Sequence, residues 1–314
     1  MLTDETLDSP PAPLEDDPFA QVDFPGLEKS LRRPRTLMNA LLSGLVALMT
    51  AVALAPLLSV VIMLAWRGGK KLSLSVLTHL PPAPLEAGGG FGNAILGTAV
   101  MVGLATLAVV PFGVLIGVFL AEAPLENRLA QAVRFAAKVL TGFPSILAGV
   151  FAYGAVVLAT GGFSALAGAV ALSVLMIPTV VLTSEDAIRM VPARMREAAL
   201  GMGATHTQTV FMVLLPTALP GILTGVMLAV ARACGETAPL VFTALFSNYW
   251  ITSGGRFDLM QPTASLAVLI YNFAGMPFAN QVELAWAAAL VLVLLVLAAN
   301  LTGQALSRRQ RQQS

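Results

Sequence analysis

The chain has 314 residues, 57% of them hydrophobic and 11% charged, with 18 basic against 17 acidic residues for a formal net charge of +1. Soluble domains carry about a quarter charged residues, so at a mean hydropathy of +0.81 this chain is neither a water-soluble globular domain, whose surface would aggregate, nor a disordered one. Without a basic excess it is no nucleic-acid module; an integral membrane protein remains.

Residues 1–36 stand apart from the rest. Eight of the seventeen acids lie there, from Asp4 to Glu28, followed by Lys29, Arg32, Arg33 and Arg35. With no apolar period to bury, this segment is expected to be a mobile cytoplasmic tail, acidic and then basic. From residue 37 onward, long uncharged runs alternate with short charged ones. A spanning helix needs about 20 apolar residues, and six such stretches fit near 37–66, 92–121, 139–160, 162–184, 217–240 and 284–303. Trp66 closes the first as an interfacial anchor. Thr160-Gly161-Gly162 separates the third from the fourth, and Pro144 is expected to kink the third. The expectation is an all-α integral membrane protein of six transmembrane helices. Thr263–Gly275 is apolar but too short to span and is expected to be interfacial or re-entrant.

Basic residues orient these spans. With both termini cytoplasmic, thirteen of the eighteen fall inside: four in the tail, then Arg128, Arg134 and Lys138, then Arg189, Arg194 and Arg196, then Arg308, Arg309 and Arg311. Arg67, Lys70, Lys71 and Arg256 fall outside, and Arg232 lies within a span. The asymmetry follows the positive-inside rule. Arg189 is read as one of these topology-setting charges.

The longest cytoplasmic loop covers 185–216. Pro192 suits the position just before a helix and Gly203 suits its end, so a short helix is expected between Ala193 and Gly203. Such a helix can fill a groove in another protein or lie on lipid; composition does not choose between them. In the fifth span, Arg232 and Glu236 are four apart and share a helix face. An arginine there costs about 2.5–3.5 kcal/mol on insertion scales, so it is either a structural ion-pair partner or a pathway residue whose fork can take an oxyanion. On the second reading Gly235 gives close backbone approach and Thr237 a hydroxyl donor. Ser145, after Pro144, is a further candidate donor to substrate, against the commoner use of such a serine in local helix repair. Gly113-x-x-x-Gly117 and Gly221-x-x-x-Gly225 suit close helix packing.

The chain has no G-x-x-x-x-G-K-[ST] phosphate loop. Its two histidines, His79 and His206, are far apart in sequence and Cys234 is the single cysteine, which gives a metal site nothing to build on. No enzyme active site and no cofactor bound by this chain are expected.

Glu197-Ala198-Ala199, three residues, Gly203, nine residues, then Val213-Leu214-Leu215-Pro216 resembles the EAA loop of ABC-importer permeases, with valine where the family has isoleucine. The resemblance implies a type I ABC importer permease architecture in the bacterial cytoplasmic membrane, whose coupling helix docks on a separate ATP-binding subunit. That role is carried onto Glu197, Ala198, Ala199 and Gly203. Arg232 with Gly235-Glu236-Thr237-Ala238-Pro239-Leu240 is similar to the phosphate-import family of these permeases, the PstA-like subunits. So are Gly142-Phe143-Pro144-Ser145-Ile146, Met260-Gln261-Pro262 and Leu284-Ala285-Trp286-Ala287. This second resemblance implies transport of inorganic phosphate. It also implies a second homologous, PstC-like permease, two ATP-binding subunits that use the ATP, and an extracytoplasmic phosphate-binding protein. An ABC permease for molybdate or sulfate stays open, as does an ion-gradient-driven secondary carrier. A carrier of that kind would carry inverted repeats, and none is visible.

Overall fold

The computed structural model describes residues 34–124, 126–253 and 255–311. The expected mobile tail lies outside them up to residue 33. The chain divides between Ser59 and Val60 into two units. Helix α1 (Pro34–Lys71) begins in the first and ends in the second. Its 34–59 portion is predominantly apolar and has no buried residue, which suits a helix whose solvent is lipid.

In the second unit α2 (Gly92–Glu122) is followed by α3 (Arg128–Thr141) and α4 (Ser145–Thr160). Then come α5 (Ala165–Arg189), α6 (Ala193–Gly201), α7 (His206–Gly235), α8 (Leu266–Ala274) and α9 (Ala279–Arg311). Among the described residues five helices are long and apolar enough to cross a membrane, and six if the bent pair α3–α4 counts as one span. One small departure from all-helix is an antiparallel pairing of β1 (Thr252–Ser253) with β2 (Arg256–Phe257).

The helix starts are capped as the side chains dictate. Asn127 Oδ1 accepts from the Ala130 amide, Ser164 Oγ from Ala167 and Ser265 Oγ from Val268, each satisfying an amide that a helix start leaves without a backbone partner. At the head of α7 Thr205 and Gln208 form a reciprocal capping box.

Small residues bring α2, α5 and α7 together. A Cβ on Gly113 would lie 2.8 Å from Val180 Cγ1, and one on Gly117 would lie 2.6 Å from Ser184 Cβ. On a neighbouring face of α5, a Cβ on Gly221 would meet Ala187 at 2.8 Å and one on Gly225 would meet the Thr183 hydroxyl at 2.0 Å. Both glycine pairs therefore serve close packing, as their spacing predicts. The core between these helices holds Met101, Leu172, Met176, Val180, Ile222 and Val226. Leu107 and Phe112 of α2 point outward.

Three stretches differ from their sequence expectation. The third span, expected over 139–160 with a kink at Pro144, is instead divided: α3 ends at Thr141 and α4 starts at Ser145, with a 108° bend between them. Proline disfavours helical backbone in the residue before it, and Arg128, Arg134 and Lys138 keep α3 out of hydrocarbon. The remainder, α4, is about 24 Å long. The loop expected over 185–216 is mostly helix, because α5 runs to Arg189 and the capping box starts α7 at His206. A π-helical stretch over Thr209–Leu214 then accommodates Pro216, which has no N–H to give. The fifth helix, expected to end at 240, ends at Gly235, and a one-turn helix Ala238–Val241 follows. Segment 263–275 forms α8, which buries Leu266, Ala267, Val268, Leu269 and Phe273.

Candidate functional site

Two groups of polar residues stand out in an apolar chain, one around α6 and one where α7 breaks. The first begins at Pro192, which caps α6. The helix closes with Gly203 at φ +88°, its amide donating to the Leu200 carbonyl while the Ala204 amide donates to Ala199. That double closure needs a left-handed residue and so favours glycine. Within α6 the EAA residues divide by face: Ala199 is buried, whereas Glu197 and Ala198 are exposed. Glu197 has no ion-pair partner among the described residues.

Its neighbour Arg196 is held firmly. Both terminal nitrogens of Arg196 donate to the Glu122 carboxylate at the end of α2, Nη1 to Oε2 at 2.8 Å. His206 Nε2 lies 3.1 Å from the same carboxylate. Glu122 thus joins α2, α6 and the start of α7. Deeper in, the buried Glu185 accepts from Arg134 Nε and from Arg189 Nε, both at 2.9 Å. Each of those arginines also donates through Nη2 to the Leu120 carbonyl, at 3.2 and 3.0 Å. The reason lies in the sequence. Four residues after Leu120 stands Pro124, which has no N–H, so this carbonyl has no helical donor. Two cations supply it at the negative end of the helix dipole.

None of Glu122, Glu185 and His206 was singled out from sequence as a functional residue, and Arg134, Arg189 and Arg196 were read only as topology charges. The Glu185–Arg189 spacing of four was a usable signal. Glu122 and Arg196 are 74 residues apart, and no local pattern joins them.

The second group lies at the end of α7. Arg232 Nε donates to Glu236 Oε1 at 3.1 Å; the arginine side chain is 41% exposed and the glutamate 15%. Glu236 is the first residue past the helix, in extended backbone, and Thr237 starts the next turn. That turn is seated on α4: a Cβ on Gly149 would lie 2.6 Å from Pro239 Cα. Ser145 is one helical turn before Gly149 and shares its face. The structure therefore pairs Arg232 with Glu236, puts Thr237 beside them in sequence, and seats the following turn on α4, the helix that Ser145 starts. Neither the Ser145 nor the Thr237 hydroxyl has a hydrogen-bonding partner among the described residues. Around Gly235 a Cβ would meet no other atom of the protein within 4 Å, so its backbone lies open to an approaching group. Among the described residues no group of three or more His, Cys, Asp or Glu side chains is placed to hold a metal ion.

Residues 113–312 match the family described as the binding-protein-dependent transport system inner membrane component. The phosphate transport system permease protein PstA of Yersinia pestis is 39% identical over 78% of this chain and 81% of its own length. The PstA protein of Haemophilus influenzae is 41% identical over 84% of this chain and 91% of its own length. In three dimensions, the inward-facing MetNI methionine ABC transporter superimposes with a TM-score of 0.58, covering 70% of this chain and 95% of the compared chain at 21% identity.

Proposed function

The chain belongs to the family of binding-protein-dependent transport system inner membrane components, and from that premise we propose that it is the permease subunit of an ATP-driven importer of inorganic phosphate. Its fold is that of type I ABC-importer permeases, and it is a multi-pass inner-membrane protein. The PstA proteins it resembles at about 40% identity are phosphate permeases by name, which supports the substrate assignment.

The observation that carries the reading is the Arg232–Glu236 pair at the break in α7. A guanidinium at a helix break, held by one carboxylate oxygen and still two-fifths exposed, has donors left for an oxyanion. Phosphate entering beside Glu236 meets its negative charge, so the site holds the anion without trapping it. Thr237 and Ser145 add hydroxyl donors.

Energy enters at the other group. This chain has no phosphate loop of its own, and ATP is hydrolysed by two partner subunits. The α6 helix presents Glu197 and Ala198 to a cleft in one of them, and Arg196–Glu122 ties α6 to α2. Closure of the ATPase pair moves α6, α2 and α7 move with it, and the pathway alternates between facing a phosphate-loaded binding protein outside and the cytoplasm inside. A second, PstC-like permease completes the pore. Both termini lie in the cytoplasm, following the basic-residue asymmetry.

Replacing Arg232 tests the reading. Arg232→Gln, in a complex that assembles and still hydrolyses ATP, should lose phosphate uptake. Uptake at the native rate would make Arg232 a structural residue and remove the anion contact from the pathway.

A further inference from the structure

A second concentration of positive charge lies far from Arg232 in sequence, at the end of α1. Arg67, Lys70 and Lys71 follow one another at helical spacing and so share a face. Gly68 fixes that face against α9, since a Cβ there would lie 2.6 Å from the Trp286 carbonyl and 2.9 Å from Leu290 Cβ. The three cations and the α8–α9 connection line an open cleft of about 600 Å³, whose remaining wall includes Phe278, Glu283 and Trp286.

Charge in this cleft is unbalanced. Lys71 Nζ pairs with Glu283 Oε2 at 2.9 Å. Arg67 and Lys70 have no carboxylate within ion-pair distance among the described residues and instead lie over ring faces, Arg67 at 5.4 Å from the Trp286 centroid and Lys70 at 4.7 Å from that of Trp66. Both positions come where the uncharged run of α1 ends, and tryptophan collects at the level where hydrocarbon gives way to headgroups. Two cations without a counter-ion, above an apolar wall at that level, complement one kind of molecule: an amphiphile whose head is a phosphate anion.

We propose that this cleft binds an anionic phospholipid, with its phosphodiester taken by Arg67 and Lys70 and its acyl chain laid on Phe278 and Trp286. The arginine fork suits two phosphate oxygens and the lysine adds a point charge. Free phosphate shares the head chemistry but would leave the apolar wall of the cleft uncovered. The assignment does not depend on which anion the protein transports.

Trp286 reports on the cleft directly. In the full chain carrying Trp66→Phe and Trp250→Phe, reconstituted in nanodiscs, its fluorescence is read against lipids brominated on the acyl chain. Brominated phosphatidylglycerol should quench Trp286 with an apparent preference of about 30-fold over brominated phosphatidylcholine, the scale set by two basic side chains near the headgroups. Adding Arg67→Gln and Lys70→Gln should bring that preference close to unity. Glu283→Gln, which frees Lys71, should raise it several-fold. Equal quenching by the two lipids, a preference that survives the double substitution, or no rise with Glu283→Gln would each overturn the proposal. Release of the quenching by millimolar inorganic phosphate would overturn it too, and would assign the cleft to the free anion.

Discussion

Glu122, the last residue of α2, holds Arg196 of α6 through both of its carboxylate oxygens. Arg196 immediately precedes Glu197, an exposed residue of the helix proposed to dock on the ATPase. The grip converts a surface helix on a short tether into a lever attached to a helix that packs against the core. An arginine–carboxylate fork fixes orientation as well as distance, so displacement of α6 is passed to α2.

Breaking that grip should uncouple the machine. Glu122→Ala leaves Arg196 and His206 without their shared partner. The complex should still insert and hydrolyse ATP, while phosphate uptake per ATP hydrolysed falls about tenfold or more. Arg196→Lys, which keeps charge but loses the fork, should give an intermediate ratio. The measurement is uptake and ATPase activity on the same proteoliposomes; an unchanged ratio for Glu122→Ala would mean that α6 transmits by another route.

The deeper pair is a stability element. Glu185 is 4% exposed and lies between two arginines. Removing one partner of a buried ionic group costs about 3–5 kcal/mol, so Glu185→Ala should lower the thermal midpoint of the purified protein sharply. Glu185→Gln, which loses the charge but keeps an oxygen able to accept from both arginines, should cost less. Thermal unfolding in detergent distinguishes them.

Glycines predict a contrast. Gly225→Ala would push a methyl group to 2.0 Å from the Thr183 hydroxyl oxygen, and overpacking of this kind costs about 1–3 kcal/mol. Gly235→Ala meets nothing within 4 Å and should leave stability close to native. If both substitutions behave alike, the close approach of α5 and α7 is not what Gly225 provides.

Glu197→Lys places a cation on the exposed face of α6. Uptake should be abolished while the protein inserts and its thermal midpoint stays near native, because Glu197 has no ion-pair partner within the described chain to lose. A large fall in the midpoint would show that Glu197 supports the fold.

Much of this was legible beforehand, and the reasons differ by region. The ends of α2 follow from a long uncharged run bounded by Gly92 and Glu122, and α6 from Pro192 and Gly203, each a local signal with a local cause. The glycine pairs spelled out helix packing because nothing else explains small residues four apart on apolar helices. What the sequence hid is non-local or cooperative. The 108° turn between α3 and α4 comes from Pro144 acting together with three basic residues upstream, and hydropathy alone carried the third span across the turn into the last residues of α3. The early start of α7 rests on Thr205 and Gln208, whose reciprocal caps outweighed the polarity of 206–209. The Leu120 carbonyl, left without a donor by Pro124 and supplied by Arg134 and Arg189, could be found only once three helix ends were in place. In the candidate pathway the Arg232–Glu236 pair was readable from a spacing of four. That the turn after it is seated on α4, Pro239 against Gly149, was not.

The central claim, that this permease carries inorganic phosphate past Arg232, is tested most directly by radiolabelled phosphate uptake into proteoliposomes of the assembled complex with internal ATP, in the presence of excess sulfate or molybdate. The account predicts ATP-dependent uptake that neither competitor reduces and that Arg232→Gln eliminates. Uptake suppressed by sulfate or molybdate, or retained by Arg232→Gln, would contradict it.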